Sequence, residues 1–263
     1  IAISKVGKVA AIVSLGGGTI TDIGKMTTLG TNSDFHLAVQ TAASVDGYSD
    51  DVSVILINGA KRTVPSRWPD VLVADTTLIA SAPRVLNVAG FGEITSMFTA
   101  PADWRLAAVL GFEKQFHLAP IKLLQGVGEG IDDWSIGLKN NEITATEKLI
   151  HALAVRGITT GVAGTTACLS GIERLVSHML DIWNGSQGNS IGQHGSQVGV
   201  GGIYAAAIWE NIFEIFENRK FVLKPVDENY YQEKINNTFS KIDKDGKLAK
   251  ECWNDFSKKI QYW

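Results

Sequence analysis

The stretch Leu15-Gly16-Gly17-Gly18-Thr19-Ile20-Thr21-Asp22-Ile23-Gly24-Lys25 comes directly after the apolar run Val9-Ala10-Ala11-Ile12-Val13. A buried-type strand that empties into three glycines and then into helical spacing brings backbone N–H groups and a helix N-terminus to one point. That arrangement suits a phosphate or pyrophosphate. A glycine turn after a strand is also ordinary α/β punctuation, so on this stretch alone a ligand loop and a structural turn stand about level. Two familiar fingerprints are absent. There is no G-x-G-x-x-G, and a Walker loop ending on Gly24-Lys25 needs Gly at 19 and Ser or Thr at 26, where this chain has Thr19 and Met26.

Outward from the loop, Val9 to Val13, Phe35 to Gln40, Val52 to Ile57 and Val71 to Ala74 read as strands, with Thr19 to Thr27 as an intervening helix. Asn58-Gly59, between Val52-to-Ile57 and Lys61-to-Val64, is a type I′ hairpin signal, so one antiparallel ribbon is expected to decorate an otherwise parallel sheet. From Ala82-Pro83 onward the spacing turns helical: Ile94 to Leu110, Glu142 to Val155, Cys168 to Trp183, Val198 to Phe216, Tyr230 to Phe239 and a last piece from Cys252 to Trp263. The expectation is an α/β nucleotide-binding domain over residues 1–88 and a helical domain over 89–263, with ligands in the cleft between them.

Composition narrows the function. The 263 residues are 45% hydrophobic, enough for a substantial core. Against 24 basic residues stand 27 acidic ones, a net charge of −3, so no basic field favours nucleic acid or an anionic membrane. No stretch approaches a membrane span, the first residues lack a signal-peptide pattern, and Cys168 and Cys252 fit reduced thiols, so a cytoplasmic protein is expected. Asp243-Lys244-Asp245-Gly246 echoes a calcium loop without the rest of its ligands, and the lysine-rich tail reads as a solvated face.

Four side chains stand out as candidates for chemistry. His178 lies in Leu169-x-x-Ile172-x-x-x-Val176-x-x-Met179, whose apolar stripe occupies one helical face, and it points away from that stripe. His194, in Gly192-Gln193-His194-Gly195, opens the next helical pattern, so two antiparallel helices joined by a loop would bring both imidazoles together. Glu93, in Ala89-Gly90-Phe91-Gly92-Glu93, sits at what reads as a helix start, where a carboxylate gains from the helix dipole with or without a function. Asp46 follows a strand and precedes Gly47, which fits a site carboxylate and an Asx turn equally. Histidines in such contexts are more often surface or hydrogen-bonded core than ligands, and no H-x-x-x-H or H-E-x-x-H spacing shifts that balance.

Six segments, in order, resemble one family. They are Leu15-Gly16-Gly17-Gly18-Thr19-x-x-Asp22-Ile23-Gly24-Lys25, Thr41-Ala42-Ala43-Ser44-x-Asp46-Gly47-Tyr48, Ala89-Gly90-Phe91-Gly92-Glu93, Asp103-Trp104-Arg105-Leu106-Ala107, Ser170-Gly171-x-Glu173-x-x-x-Ser177-His178, and His194-Gly195-x-Gln197-Val198-Gly199-Val200-Gly201. The chain is similar, over nearly its whole length, to the sn-glycerol-1-phosphate dehydrogenase branch of the iron-containing alcohol dehydrogenase superfamily.

The resemblance implies a dehydroquinate synthase-like architecture of two domains, α/β then all-helical, and a metal-assisted hydride transfer in the cleft. It places one divalent metal, zinc first and nickel or iron next, on Glu93, His178 and His194. It places NAD or NADP on Gly16, Gly17, Gly18, Thr19, Asp22, Thr41 and Ser44, and substrate hydroxyls on Asp46. It further implies a polyol-phosphate substrate, sn-glycerol 1-phosphate or dihydroxyacetone phosphate, and a homo-oligomer with neither nucleic acid nor membrane as partner. An unphosphorylated polyol or secondary-metabolite substrate, and a shortened non-catalytic relative with an assembly or binding role, are the alternatives. Three departures bear on these expectations. Glu93 stands where many relatives have Asp. Arg174 and Val45 stand where archaeal-type relatives have His. The family's opening strand-helix-strand unit, on the adenosine side of the cofactor, precedes the glycine loop, whereas this chain begins almost at the loop, so a fragment or a shortened member is expected.

Overall fold

The computed structural model describes residues 7–57, 60–218 and 224–262. Three strands, β1 (Ala11–Gly16), β2 (Phe35–Gln40) and β5 (Val71–Ala74), form a parallel sheet in the order β1-β2-β5. Ala11 pairs with Phe35 and Leu37 with Val71. The crossover between β1 and β2 is helix α1 (Gly18–Gly30), as a parallel connection requires.

Strands β3 (Val52–Ile57) and β4 (Ala60–Pro65) pair antiparallel with Ile57 opposite Ala60; the Asn58-Gly59 turn between them lies outside the described residues. The ribbon is a separate two-stranded sheet rather than an extension of the parallel one. Its anchor is α1: the ammonium of Lys25 donates to the Val52 carbonyl at 2.8 Å, and Ser53 Oγ donates to the Asp22 carbonyl at 3.5 Å.

Among the described residues the α-helices that follow are α2 (Thr76–Ala80), α3 (Arg84–Ile94), α4 (Ala100–Val109), α5 (Ala119–Gly128), α6 (Ile131–Trp134), α7 (Ile143–Ala163), α8 (Ile172–Ser186), α9 (His194–Glu217), α10 (Glu228–Phe239) and α11 (Lys247–Ser257). The single helix expected over 94–110 is broken. A 3-10 turn spans Thr95–Phe98, and α4 restarts with Pro101 in its first turn, where a missing N–H costs nothing. A core of Ile94, Trp104, Leu124, Leu149, Leu153 and Leu169 joins α3, α4, α5 and α7. Asp243 accepts from the N–H groups of Leu248 and Ala249 and so caps α11, which accounts for the calcium-like sequence.

Two features correct the reading of the sequence. Glu93 lies in the last turn of α3 rather than at a helix start, because the helix begins at Arg84. The glycine pair is instead a packing surface: a Cβ on Gly90 would meet the Ala43 carbonyl at 1.9 Å, and one on Gly92 the Gly195 carbonyl at 2.1 Å. On α8 the buried residues are polar, Glu173, Ser177 and Asp181, while Leu175 is 65% exposed. The i, i+4, i+8 polar stripe turns inward toward α9, so the apolar stripe does not define the interior face.

Candidate active site

The glycine loop opens a cleft with a volume of 360 Å3, lined by Gly17, Gly18, Thr19, Thr41, Ser44 and, from the far side, Gln193. Gly17 precedes α1 with extended backbone, and no side chain caps the helix's first turn. Its uncapped N–H groups suit an anion. Thr41 is fixed beside the loop by its N–H, which donates to the Gly16 carbonyl at 3.1 Å. The buried amide of Asn87 holds the next turn: Ala43 N–H donates to its Oδ1 at 3.0 Å and its Nδ2 donates to the Ile79 carbonyl at 2.9 Å. Asp22 lies apart from the cleft, its carboxylate accepting from Val54 N–H at 3.3 Å. Burial raises its pKa to about 6 against the pull of Lys25.

Gln193 is the residue before α9, so the cleft ends beside His194. There α3, α8 and α9 set His194 between Glu93 on one side and His178 on the other. The two imidazoles stack with centroids 5.9 Å apart and planes 30° apart. His194 Nε2 stands 3.7 Å from Glu93 Oε2. A chain of polar groups fixes the tautomer of His194. Asp181 accepts from Gln197 Nε2 at 3.0 Å, Gln197 Oε1 accepts from Ser177 Oγ at 2.7 Å, and Ser177 Oγ must then accept from His194 Nδ1 at 2.8 Å. The Nε2 lone pair therefore faces Glu93. Burial, followed by Arg174 and Lys61, lowers the His194 pKa to about 2, so the ring is neutral; the same three causes lower His178.

Asp46 joins this cluster from the loop after β2. Burial pushes its carboxyl up, but the Arg174 and Arg156 guanidiniums and the hydrogen bond from Arg156 outweigh that and hold it below the usual carboxylate range. Arg156 Nη2 donates to Asp46 Oδ2 at 3.1 Å and stands 3.8 Å from Glu93 Oε1. Arg174 hydrogen-bonds Glu93 Oε1 and stands 3.5 Å from Asp46 Oδ1. The side chain of Asp46 thus forms ion pairs and makes no Asx turn.

The family model described as iron-containing alcohol dehydrogenase matches residues 2–83. A glycerol-1-phosphate dehydrogenase [NAD(P)+] of Methanococcus aeolicus is 33% identical over 196 residues, 74% of this chain and 56% of that protein. One of Pyrococcus furiosus is 31% identical over 214 residues, 80% of this chain and 60% of that protein. The chain belongs to the iron-containing alcohol dehydrogenase superfamily, in its glycerol-1-phosphate dehydrogenase branch. It spans a little over half the length of these curated relatives. Among solved structures, a sulfoacetaldehyde reductase of Bifidobacterium kashiwanohense in complex with NAD+ shares the fold with a TM-score of 0.58 and 19% identity, over 76% of this chain and 54% of that one.

For a chain of this superfamily the donor set can be weighed against a divalent cation. Among the described residues, no three His, Cys, Asp or Glu side chains stand close enough to hold a metal ion as they are. The chemistry of the set fits one all the same. Glu93 Oε2 is buried without a hydrogen-bond partner, and a neutral imidazole lone pair faces it. Arg156 and Gln193 went unnoticed in the sequence. Arg156 carried a signal: it falls in the buried stripe Ala145, Leu149, Ala152, Arg156, Thr159, Ala163 of α7, and a cation in register with such a stripe needs buried partners. Among the described residues no helix is long and apolar enough to cross a membrane.

Proposed function

We propose that this chain carries the active site of a metal-dependent, NAD(P)-linked dehydrogenase that interconverts sn-glycerol 1-phosphate and dihydroxyacetone phosphate. The observation that carries the reading is one continuous path. The cleft runs from the uncapped N-terminus of α1 to Gln193, and the next residue, His194, faces the unpartnered oxygen of Glu93. The names of the curated relatives support the cofactor and substrate class of this reading.

In this reading Gly17, Gly18 and Thr19 receive the cofactor's pyrophosphate at the helix N-terminus, and Thr41 and Ser44 line the same cleft. Glu93, His178 and His194 would hold the metal, which when bound supplies Lewis-acid polarisation of the substrate's C2 oxygen. Ser177 keeps the proton of His194 on Nδ1 and leaves Nε2 free to ligate. Asp46, kept ionised by Arg156 and Arg174, accepts substrate hydroxyls and fixes their orientation.

A steady-state assay of NADH oxidation comparing dihydroxyacetone phosphate with dihydroxyacetone tests the reading. The phosphorylated ketone should have the larger kcat/KM by about tenfold or more, the worth of one charge-assisted hydrogen bond. A preference for dihydroxyacetone would replace it with an unphosphorylated-polyol dehydrogenase. Absence of NADH binding together with absence of turnover would replace it with a non-catalytic relative.

A further inference from the structure

Glu93 is fully buried, and its two oxygens are treated differently. Oε2 has no hydrogen-bond partner and faces the lone pair of His194 Nε2 at 3.7 Å. Oε1 is taken by the guanidinium of Arg174, with Arg156 at 3.8 Å behind it. Glu93 and Asp46 supply two negative charges and Arg156 and Arg174 two positive ones, so the cluster is neutral before any metal enters. A divalent ion beside Glu93 would add two positive charges to a buried, low-dielectric site already holding two guanidiniums, and one of them has to move.

The two arginines differ in their freedom to do so. Arg156 is fully buried and tied to the Ile94 carbonyl at 3.3 Å and to Ser96 Oγ at 3.1 Å, besides Asp46. Arg174 is 18% exposed, and its described partners are the two carboxylates. Asp46 Oδ1 at 3.5 Å offers it a second seat.

We propose that Arg174 is a built-in counter-ion of Glu93 that a divalent metal must displace toward Asp46, so that this chain binds metal more weakly than its carboxylate and imidazoles would alone. The proposal rests on the metal-site reading above. Its consequence is a reciprocal coupling. Whatever draws Arg174 off Glu93 tightens metal binding, and metal binding frees a guanidinium at the inner end of the site for an anionic substrate group.

Co2+ titration of the purified chain, followed by visible absorbance, tests this with no assay of turnover. Arg174→Gln should bind Co2+ about tenfold or more tightly than the wild type, the cost of displacing a charge-assisted hydrogen bond having gone. Co2+ should also raise its Tm by more than it raises that of the wild type. If Arg174→Gln is folded by far-UV circular dichroism and binds Co2+ no more tightly, the proposal is overturned. If it folds only when Co2+ is present, the metal has taken over the role of the guanidinium, as proposed. If it does not fold even then, Arg174→Lys decides, since a single ammonium holds Glu93 less well than a guanidinium and should bind Co2+ more tightly than the wild type; equal or weaker binding overturns the proposal. His178→Ala separates the two readings. Unchanged Co2+ binding in that variant removes the metal site itself, whereas lost binding beside an unaltered Arg174→Gln removes only the displacement.

Discussion

His194 Nε2 stands 3.7 Å from Glu93 Oε2 with no hydrogen bond between them. The gap follows from the other side of the ring, where Ser177 takes the only proton that a neutral imidazole carries. Two acceptors face each other, and neither can satisfy the other.

Ser177→Ala tests that account. The substitution leaves His194 Nδ1–H and Gln197 Oε1 unpaired, which should destabilise the fold by ~1–3 kcal/mol. It also releases the tautomer, so metal affinity should fall by about 10–100-fold, the usual consequence of losing a group that orients a ligand. Urea unfolding and elemental analysis check the two effects. Retained stoichiometric metal would mean that Ser177 does not orient the ring. His178→Ala and His194→Ala should each lose most of the metal by the same analysis.

A second prediction concerns the loop that delivers Asp46. Lys25 is fully buried and donates to the Gly47 carbonyl, to Asp50 and, at 2.8 Å, to the Val52 carbonyl, which pins both ends of the segment after Asp46. Lys25→Met leaves Asp50 buried without its partner, and breaking such a pair from one side costs ~3–5 kcal/mol. Adding Asp50→Leu should recover part of the loss. A chemical-denaturation double-mutant cycle measures the coupling, and additive effects would show that the two side chains do not depend on each other.

The α/β half was largely legible because its signals are local. Phe35–Gln40, Val52–Ile57 and Val71–Ala74 have the boundaries that their apolar runs and flanking turn residues indicate. The helical half was less so, because tertiary contacts set its limits. Helix α7 continues from Val155 to Ala163 through Gly157 and Gly161, residues of low helix propensity. A Cβ on Gly157 would meet Ser49 Oγ at 2.2 Å and one on Gly161 would meet Trp68 at 2.3 Å, so those glycines serve close packing and do not end the helix. Helices α5 and α6 went unread, since Gly126, Gly128 and Gly130 look like a loop. Of the candidate site, the histidines and Glu93 stand in segments that carry the family resemblance. The guanidiniums that neutralise Glu93 and Asp46 arrive from α7 and α8, and local spacing carries no trace of that meeting.

Asp22 gives a pH dependence whose sign can be stated. Burial foremost raises its pKa from 3.8 to about 6, against Lys25 and the Val54 hydrogen bond. A raised carboxyl pKa means that the folded state binds the proton more tightly than the unfolded one. Its stabilising contribution is present below pH 3.8 and is lost as pH rises toward about 6. Asn keeps an acceptor for Val54 and has no charge to bury. Asp22→Asn should therefore be more stable than the wild type at neutral pH, with the difference shrinking as pH falls through that window. Thermal melts of both proteins across it check the sign; a difference that grows toward acid would reverse the account.

The last prediction separates a ligand loop from a structural turn. A Cβ on Gly16 would meet Ile20 Cγ1 at 2.7 Å and one on Gly18 would meet Val45 Cγ2 at 2.5 Å, so both have packing reasons to lack a side chain. Gly17 has none. Its nearest neighbour would be Tyr48 Oη at 3.9 Å, and its φ of −80° and ψ of −175° are open to any residue. What remains to require glycine there is an outside group that must approach the backbone at the start of α1. Gly17→Val should leave the Tm nearly unchanged and weaken NADH binding in a fluorescence titration. Gly18→Val should lower both, because its side chain also collides with Val45. If Gly17→Val binds NADH as the wild type does, Gly16 to Gly18 form a turn and the pyrophosphate lies elsewhere.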